Sequence, residues 1–275
     1  MNRHPLLRAL TATLLLLPLS AAPLAAQEQE VPTRVMVRAV ARDAKIIGSG
    51  VGGALIRIVN AATGEVLAEG KQEGGTGSTQ LIMSTPHTRG MTVYDTEGAA
   101  GFLAELQLVQ PTVVNISAVG PLGYPQAIRS ATAQVLLVPG GHIEGDGVIL
   151  ELRGFIVEIL KPAPLDPVAY SFDVAARVRM MCGCTIEPGG MWDANTKTLV
   201  AVLRADGVAL ASTVLAYAGQ TSMFEGTLSV PTGAEGKELQ LEVLVSEASR
   251  ENFGRHSFPM GELETEGERS AGSNR

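Results

Sequence analysis

The chain has 275 residues and a formal net charge of −7. An acidic chain without a local lysine or arginine cluster has no electrostatic attraction to nucleic acid or to an anionic membrane. Two cysteines cannot staple a chain of this length, so its stability must come from ordinary apolar cores.

The N-terminus carries Arg3, His4 and Arg8, followed by an apolar run from Ala9 to Leu17 that Pro18 breaks. Small residues then lead to Ala25, Ala26 and Gln27. This order is that of a secretory signal peptide over residues 1–26, cleaved after Ala26. The run is shorter than the roughly 20 apolar residues needed to span a bilayer, so no transmembrane segment is expected in the mature chain. The expected location is the periplasm or the extracellular space.

Strand patterns follow in series. Val35–Val40, Ala54–Val59, Val66–Ala68 and Gln80–Met83 are the first four expected strands. Phe102–Leu108 alternates apolar with small or polar residues, as a half-buried strand does. Val113–Ser117 and Ala133–Val138 continue the series, and the β-branched residues of Arg153–Leu160 favour a strand there too. His87, after Pro86, reads as a loop residue. Lys161–Pro167 holds three prolines, which deny backbone donors and keep the chain extended. It marks a linker over 161–167 between two modules, 31–160 and 168–260.

The second module begins with Tyr170–Met180, which alternates along its whole length. Thr198–Leu203, Ala209–Tyr217, Met223–Val230 and Leu239–Val245 follow at even spacing, with a hairpin turn at Asp206–Gly207. Residues 261–275 are rich in Gly, Glu, Ser, Arg and Asn and form an expected flexible tail.

The halves share loose turn and strand patterns. Ala62-Thr63-Gly64-Glu65 matches the Arg204-Ala205-Asp206-Gly207 turn, and Gly101–Leu106 matches Phe224–Val230. With the Pro231-Thr232-Gly233 break and the closing Asn252-Phe253-Gly254, the chain resembles the immunoglobulin-like modules of bacterial envelope proteins. That resemblance implies an all-β chain of two immunoglobulin-like β-sandwich domains in tandem, with adhesion, assembly or presenting roles. The two cysteines do not have the spacing that pins two sheets together in antibody domains.

Met180-Met181-Cys182-Gly183-Cys184 is the segment richest in chemistry, with Met191 and Trp192 just beyond a Pro-Gly-Gly break. After export, Gly183 lets the chain bend so that Cys182 and Cys184 close as a disulfide, which such a small ring makes only weakly stabilising. Alternatively the pair is redox-active. A third possibility is a Cu(I) site, because thiolates and thioethers are soft donors. Its ligands would come from Cys182, Cys184, Met180, Met181, Met191, His256 and Met260. The methionines are equally well read as core filler. A second candidate metal cluster is His142, Glu144 and Asp146, which share a face if the segment is a strand. Its flanking glycines favour a solvated turn.

No segment carries a glycine-rich phosphate cradle, a Gly-x-Ser-x-Gly elbow or a His-Glu-x-x-His helix. The expected function is therefore non-enzymatic: an exported envelope protein acting through contacts with a protein partner, in a structural, assembly or adhesion role. A periplasmic copper-binding or copper-delivery protein and a thiol–disulfide redox protein are the alternatives.

Overall fold

A computed structural model describes residues 29–160, 162, 166, 170–234 and 236–262. The expected signal peptide, most of the Pro-rich segment and nearly all of the expected tail lie outside these residues. The described residues are all-β, with fifteen strands in four sheets.

The first module contains β1 (Val31–Ala41), β2 (Ala54–Asn60), β3 (Val66–Gln72), β4 (Phe102–Leu108), β5 (Thr112–Gly120), β6 (Arg129–Leu137) and β7 (Ile143–Leu152). One sheet has the order β4-β1-β7 and the other β3-β2-β5-β6. β1 pairs antiparallel with β4 and parallel with β7. In constant-type immunoglobulin domains the first strand instead pairs with the second. The core follows from strict alternation. Val114, Ile116 and Ala118 of β5 are fully buried, while Val113, Asn115 and Ser117 take the outer face. Val35, Val37 and Ala39 of β1 meet them from the opposite sheet within one buried cluster.

Between β3 and β4 a long insertion covers the outer face of β1 near Val40. The expected strand Gln80–Met83 instead lies in a single π-helical turn, Gln80–Ser84. The three-residue apolar run Leu81–Met83 carries no period that separates strand from helix. Here Ser78 captures the turn, its Oγ accepting the Leu81 N–H and its carbonyl the Ile82 N–H. Ile82 then packs with Val40, Ile46, Val93 and Ala100 in a small second core.

The second module contains β8 (Phe155–Ile159), β9 (Ser171–Met180), β10 (Thr198–Ala205), β11 (Val208–Val214), β12 (Ala216–Tyr217), β13 (Met223–Ser229), β14 (Glu238–Glu247) and β15 (Asn252–Glu262). Its sheets have the orders β12-β13-β9-β8 and β11-β10-β14-β15. With β8 as the first strand, this is the immunoglobulin arrangement with one added strand beside the third. The hairpin turn at Asp206–Gly207 is formed, with both residues at positive φ as a type I′ turn requires. The expected strand Ala209–Tyr217 is split. Buried Leu215 separates β11 in one sheet from β12 in the other.

The module boundary is not the Pro-rich segment. β8 was expected to close the first module, but it pairs antiparallel with β9, Phe155 opposite Met180. Segment 161–167 thus connects two neighbouring strands of one sheet. The chain passes between modules at Arg153-Gly154, between β7 and β8. Buried residues of both modules form one contiguous cluster, with Ala44, Ile47, Val51 and Ala127 on one side and Phe155, Ile156, Met181 and Cys182 on the other.

Candidate functional site

Three features of the described residues bear on chemistry beyond packing: the junction between the modules, the candidate metal cluster of His142, Glu144 and Asp146, and the open edge of one sheet.

The junction is built from the β1–β2 loop of the first module and the β9–β10 and β14–β15 loops of the second. Trp192 Nε1–H donates to the Asp43 carbonyl oxygen at 2.8 Å. Arg42 Nε–H donates to the Arg250 carbonyl oxygen at 3.0 Å, and its guanidinium pairs with Glu151. Arg153 pairs with Glu251 at 2.6 Å, and Arg250 lies 3.5 Å from Asp43. On the far side, Arg179 donates to the Tyr124 hydroxyl at 2.7 Å and pairs with Glu158 at 2.8 Å. Its guanidinium also lies 5.0 Å from the centre of the Tyr124 ring.

Beside the Arg42–Arg250 contact is a cleft of about 280 Å³. Val40, Ile82, Met83 and Tyr94 form an apolar wall, and Arg42, Asp43, Glu151 and Arg250 a charged one. Burial, then the charges of Asp146 and Glu151, raise the Tyr94 phenol above its ordinary pKa.

Cys182 and Cys184 lie in the β9–β10 loop at this junction and are paired as a disulfide, with Cα atoms 5.4 Å apart. The turn is also closed by backbone bonds: Gly183 N–H donates to Met180 at 2.8 Å and Met180 N–H to Cys184 at 3.0 Å. Gly183 has φ +82°, and a Cβ there would come within 2.8 Å of Val51 Cγ1 across the junction. Cys182 is 5% exposed, whereas Cys184 is half-buried. Asp193 shapes the neighbouring turn, accepting the backbone N–H groups of Asn195 and Gly189; these bonds hold its carboxyl below the usual range.

The other sulfur and nitrogen groups assigned to copper are dispersed. Met180 and Met181 are fully buried, Met180 within the sandwich and Met181 with its Sδ against Gly154. Met191 is half exposed at the surface. His256 and Met260 lie on β15. His256 Nδ1 accepts the Ile159 N–H, at the end of β8 remote from the disulfide. Ile159 is four residues from Phe155, about 13 Å along the strand. The five methionine and histidine residues therefore do not converge on the cysteine pair, and a disulfide has no thiolate to offer a metal.

His142, Glu144 and Asp146 do not form a common face. Glu144 and Asp146 lie in β7, where a bulge opposite β1 reorients the chain between Ile143 and Val148. Gly147, at φ +75°, is required there, because a Cβ would lie 2.3 Å from the Met36 carbonyl oxygen. The bulge sends Asp146 away from the other two, which both meet Arg34. His142 Nδ1 accepts the Arg34 N–H and Glu144 pairs with the Arg34 side chain. The Asp146 carboxylate accepts the N–H groups of Val93, Tyr94 and Asp95 at 2.7–2.8 Å. Its role is to hold the β3–β4 insertion. Arg38, 2% exposed, reinforces the same anchor through Ala100, Asp95 and Gly145.

The third feature is β6. It forms one edge of its sheet and pairs with β5 over nine residues without a register shift. After Arg129 it carries no charge, no proline and no glycine. Leu136 is 58% exposed, with Val113 and Val138 exposed beside it. The other edges are blunted. β3 carries Glu69 and Lys71 and a register shift, and β4 carries Glu105. β7 has its bulge, β11 a bulge, and β15 a bulge with Arg255 and Pro259. β12 has two residues and β8 five. These are the usual devices that stop an edge from accepting another strand, and β6 lacks them. Alternation in sequence marks β6 as a strand, but its place at an edge is decided by long-range pairing and leaves no local signal.

No protein-family model matches this chain, and a search of the curated proteins finds no match either.

Proposed function

We propose that this chain is an exported, non-enzymatic protein of the bacterial envelope that works by protein–protein contact, and that β6 is the element through which it engages its partner. The partner contributes an extended strand that lies alongside Arg129–Leu137. Main-chain hydrogen bonds to the outward N–H and C=O groups of β6 supply affinity, and side chains packing beside Leu136, Val113 and Val138 supply selectivity. The observation that carries the proposal is the nine-residue uninterrupted edge, uncharged from Ser130 to Leu137. The N-terminal pattern of residues 1–26 supports export, and the acidic charge agrees with a partner other than nucleic acid.

The test is position-specific photo-crosslinking from Gln134 in cells that export the protein. One discrete protein adduct is expected, absent when the crosslinker is moved to Glu69 on β3. The adduct should also disappear when Thr132→Pro is added, because proline removes a donor from the edge. Absence of any adduct from Gln134, or equal adducts from both positions, would reject β6 as the contact element.

A further inference from the structure

We propose that the Cys182–Cys184 disulfide is a redox modification site, attacked at Cys184 by a dithiol, and that its opening loosens the docking of the two modules. This inference is independent of the role given to β6. The disulfide does not join two sheets, and its closed loop is too small to constrain much of the unfolded chain. Two backbone hydrogen bonds already close the same turn. What the disulfide adds is a fixed position for Gly183, which faces Val51 of the other module so closely that a Cβ there would lie 2.8 Å from Val51 Cγ1.

The chemistry balances as ordinary exchange. One thiolate of the dithiol attacks the half-buried Cys184 sulfur, forming a mixed disulfide, and Cys182 leaves as a thiolate that takes a proton from water. The second thiol of the reagent then attacks the mixed disulfide and releases Cys184. The reagent ends as a disulfide and the protein gains two thiols. Attack at Cys182 is disfavoured because that residue is 5% exposed.

Opening changes shape as well as oxidation state. Bonded sulfurs lie about 2.05 Å apart, whereas unbonded atoms in contact need about 3.5 Å or more. Cys182 is enclosed by core and has little room to move. Cys184 and Gly183 therefore take up the displacement, and a shift of Gly183 changes the close approach of this turn to Val51. Trp192, eight residues beyond Cys184 in the same loop, donates across the junction to Asp43 and is the single tryptophan of the chain. Its emission reports directly on docking.

The experiment treats the purified oxidised protein with dithiothreitol and follows titratable thiols, Trp192 emission, small-angle X-ray scattering and far-UV circular dichroism together. The expected result is two thiols per chain, a red shift of Trp192 emission, an increased radius of gyration and an unchanged far-UV spectrum. The Cys182→Ala/Cys184→Ala variant should show the same emission and radius without reductant. Three results would overturn the proposal: two thiols with no change in emission or radius, resistance of the folded protein to dithiothreitol, or loss of the far-UV spectrum on reduction.

Discussion

Lys197→Met should be among the most damaging single substitutions in the second module. Lys197 ends the β9–β10 loop and Glu247 ends β14, and their side chains are 2% and 6% exposed. Lys197 Nζ lies 3.0 Å from Glu247 Oε2 and donates to Thr196 Oγ1 and the Asp193 carbonyl. Thr196 Oγ1–H in turn donates to Glu247 Oε1 at 2.6 Å. Removing the cation leaves a carboxylate buried with no opposite charge, which costs about 3–5 kcal/mol. With a urea m-value of about 2 kcal/mol/M, the midpoint should fall by about 2 M. Replacing both partners removes the stranded charge. Lys197→Met/Glu247→Leu should then lie within about 2 kcal/mol of the parent. Thr196 keeps the Asp193 carbonyl as an acceptor in that variant. Urea unfolding followed by Trp192 emission reads the loss of this module together with its docking on Asp43, because the tryptophan lies at the junction. A Lys197→Met cost below about 1 kcal/mol, or a double variant as weak as the sum of the two singles, would refute the reasoning.

Asp146→Ala removes a charged acceptor from three backbone N–H groups, each such bond contributing about 1.5–3 kcal/mol. Hydrogen exchange at residues 93–95 should accelerate while β5 stays protected; uniform acceleration would contradict a local anchor. Gly183→Ala places a side chain at φ +82° and against Val51. A loss of about 1–2 kcal/mol is expected from the backbone alone, read in urea unfolding, and an unchanged midpoint would show that the turn yields freely. Burial lowers the His256 pKa and the Glu158 charge only partly offsets this. The unfolded chain therefore binds the proton more readily, so stability is complete above about pH 6.5 and falls as pH drops through the folded value. His256→Gln should flatten stability between pH 7 and pH 5 in urea titrations; an equally steep loss in the variant would exclude His256 as its source.

The strands were legible wherever one face is core and the other water. β9 alternates over all ten residues because its inward side chains, from Phe172 to Met180, meet buried neighbours. Gln80–Met83 reads as a strand because three apolar residues in a row have no period to mark the π-helical turn. The boundary was misplaced because Pro162, Pro164 and Pro167 signal only an extended backbone, while the pairing of β8 with β9 is non-local. The cysteine pairing was within reach of sequence, since residues two apart on a glycine turn meet readily. Their place at the junction was not, because Val51 and Asp43 lie more than a hundred residues away in the chain. His142, Glu144 and Asp146 were grouped by strand alternation, and the bulge at Gly145–Gly147 cancelled that alternation.

Amide hydrogen exchange of β6, measured on the purified protein and again on the protein held in native envelope, tests strand acceptance most directly. The outward-facing amides between Ser130 and Leu137 should exchange fast in the purified protein and become protected in the envelope, while those bonded to β5 stay slow in both. Equally fast exchange of the outward amides in the envelope would contradict a partner strand on this edge.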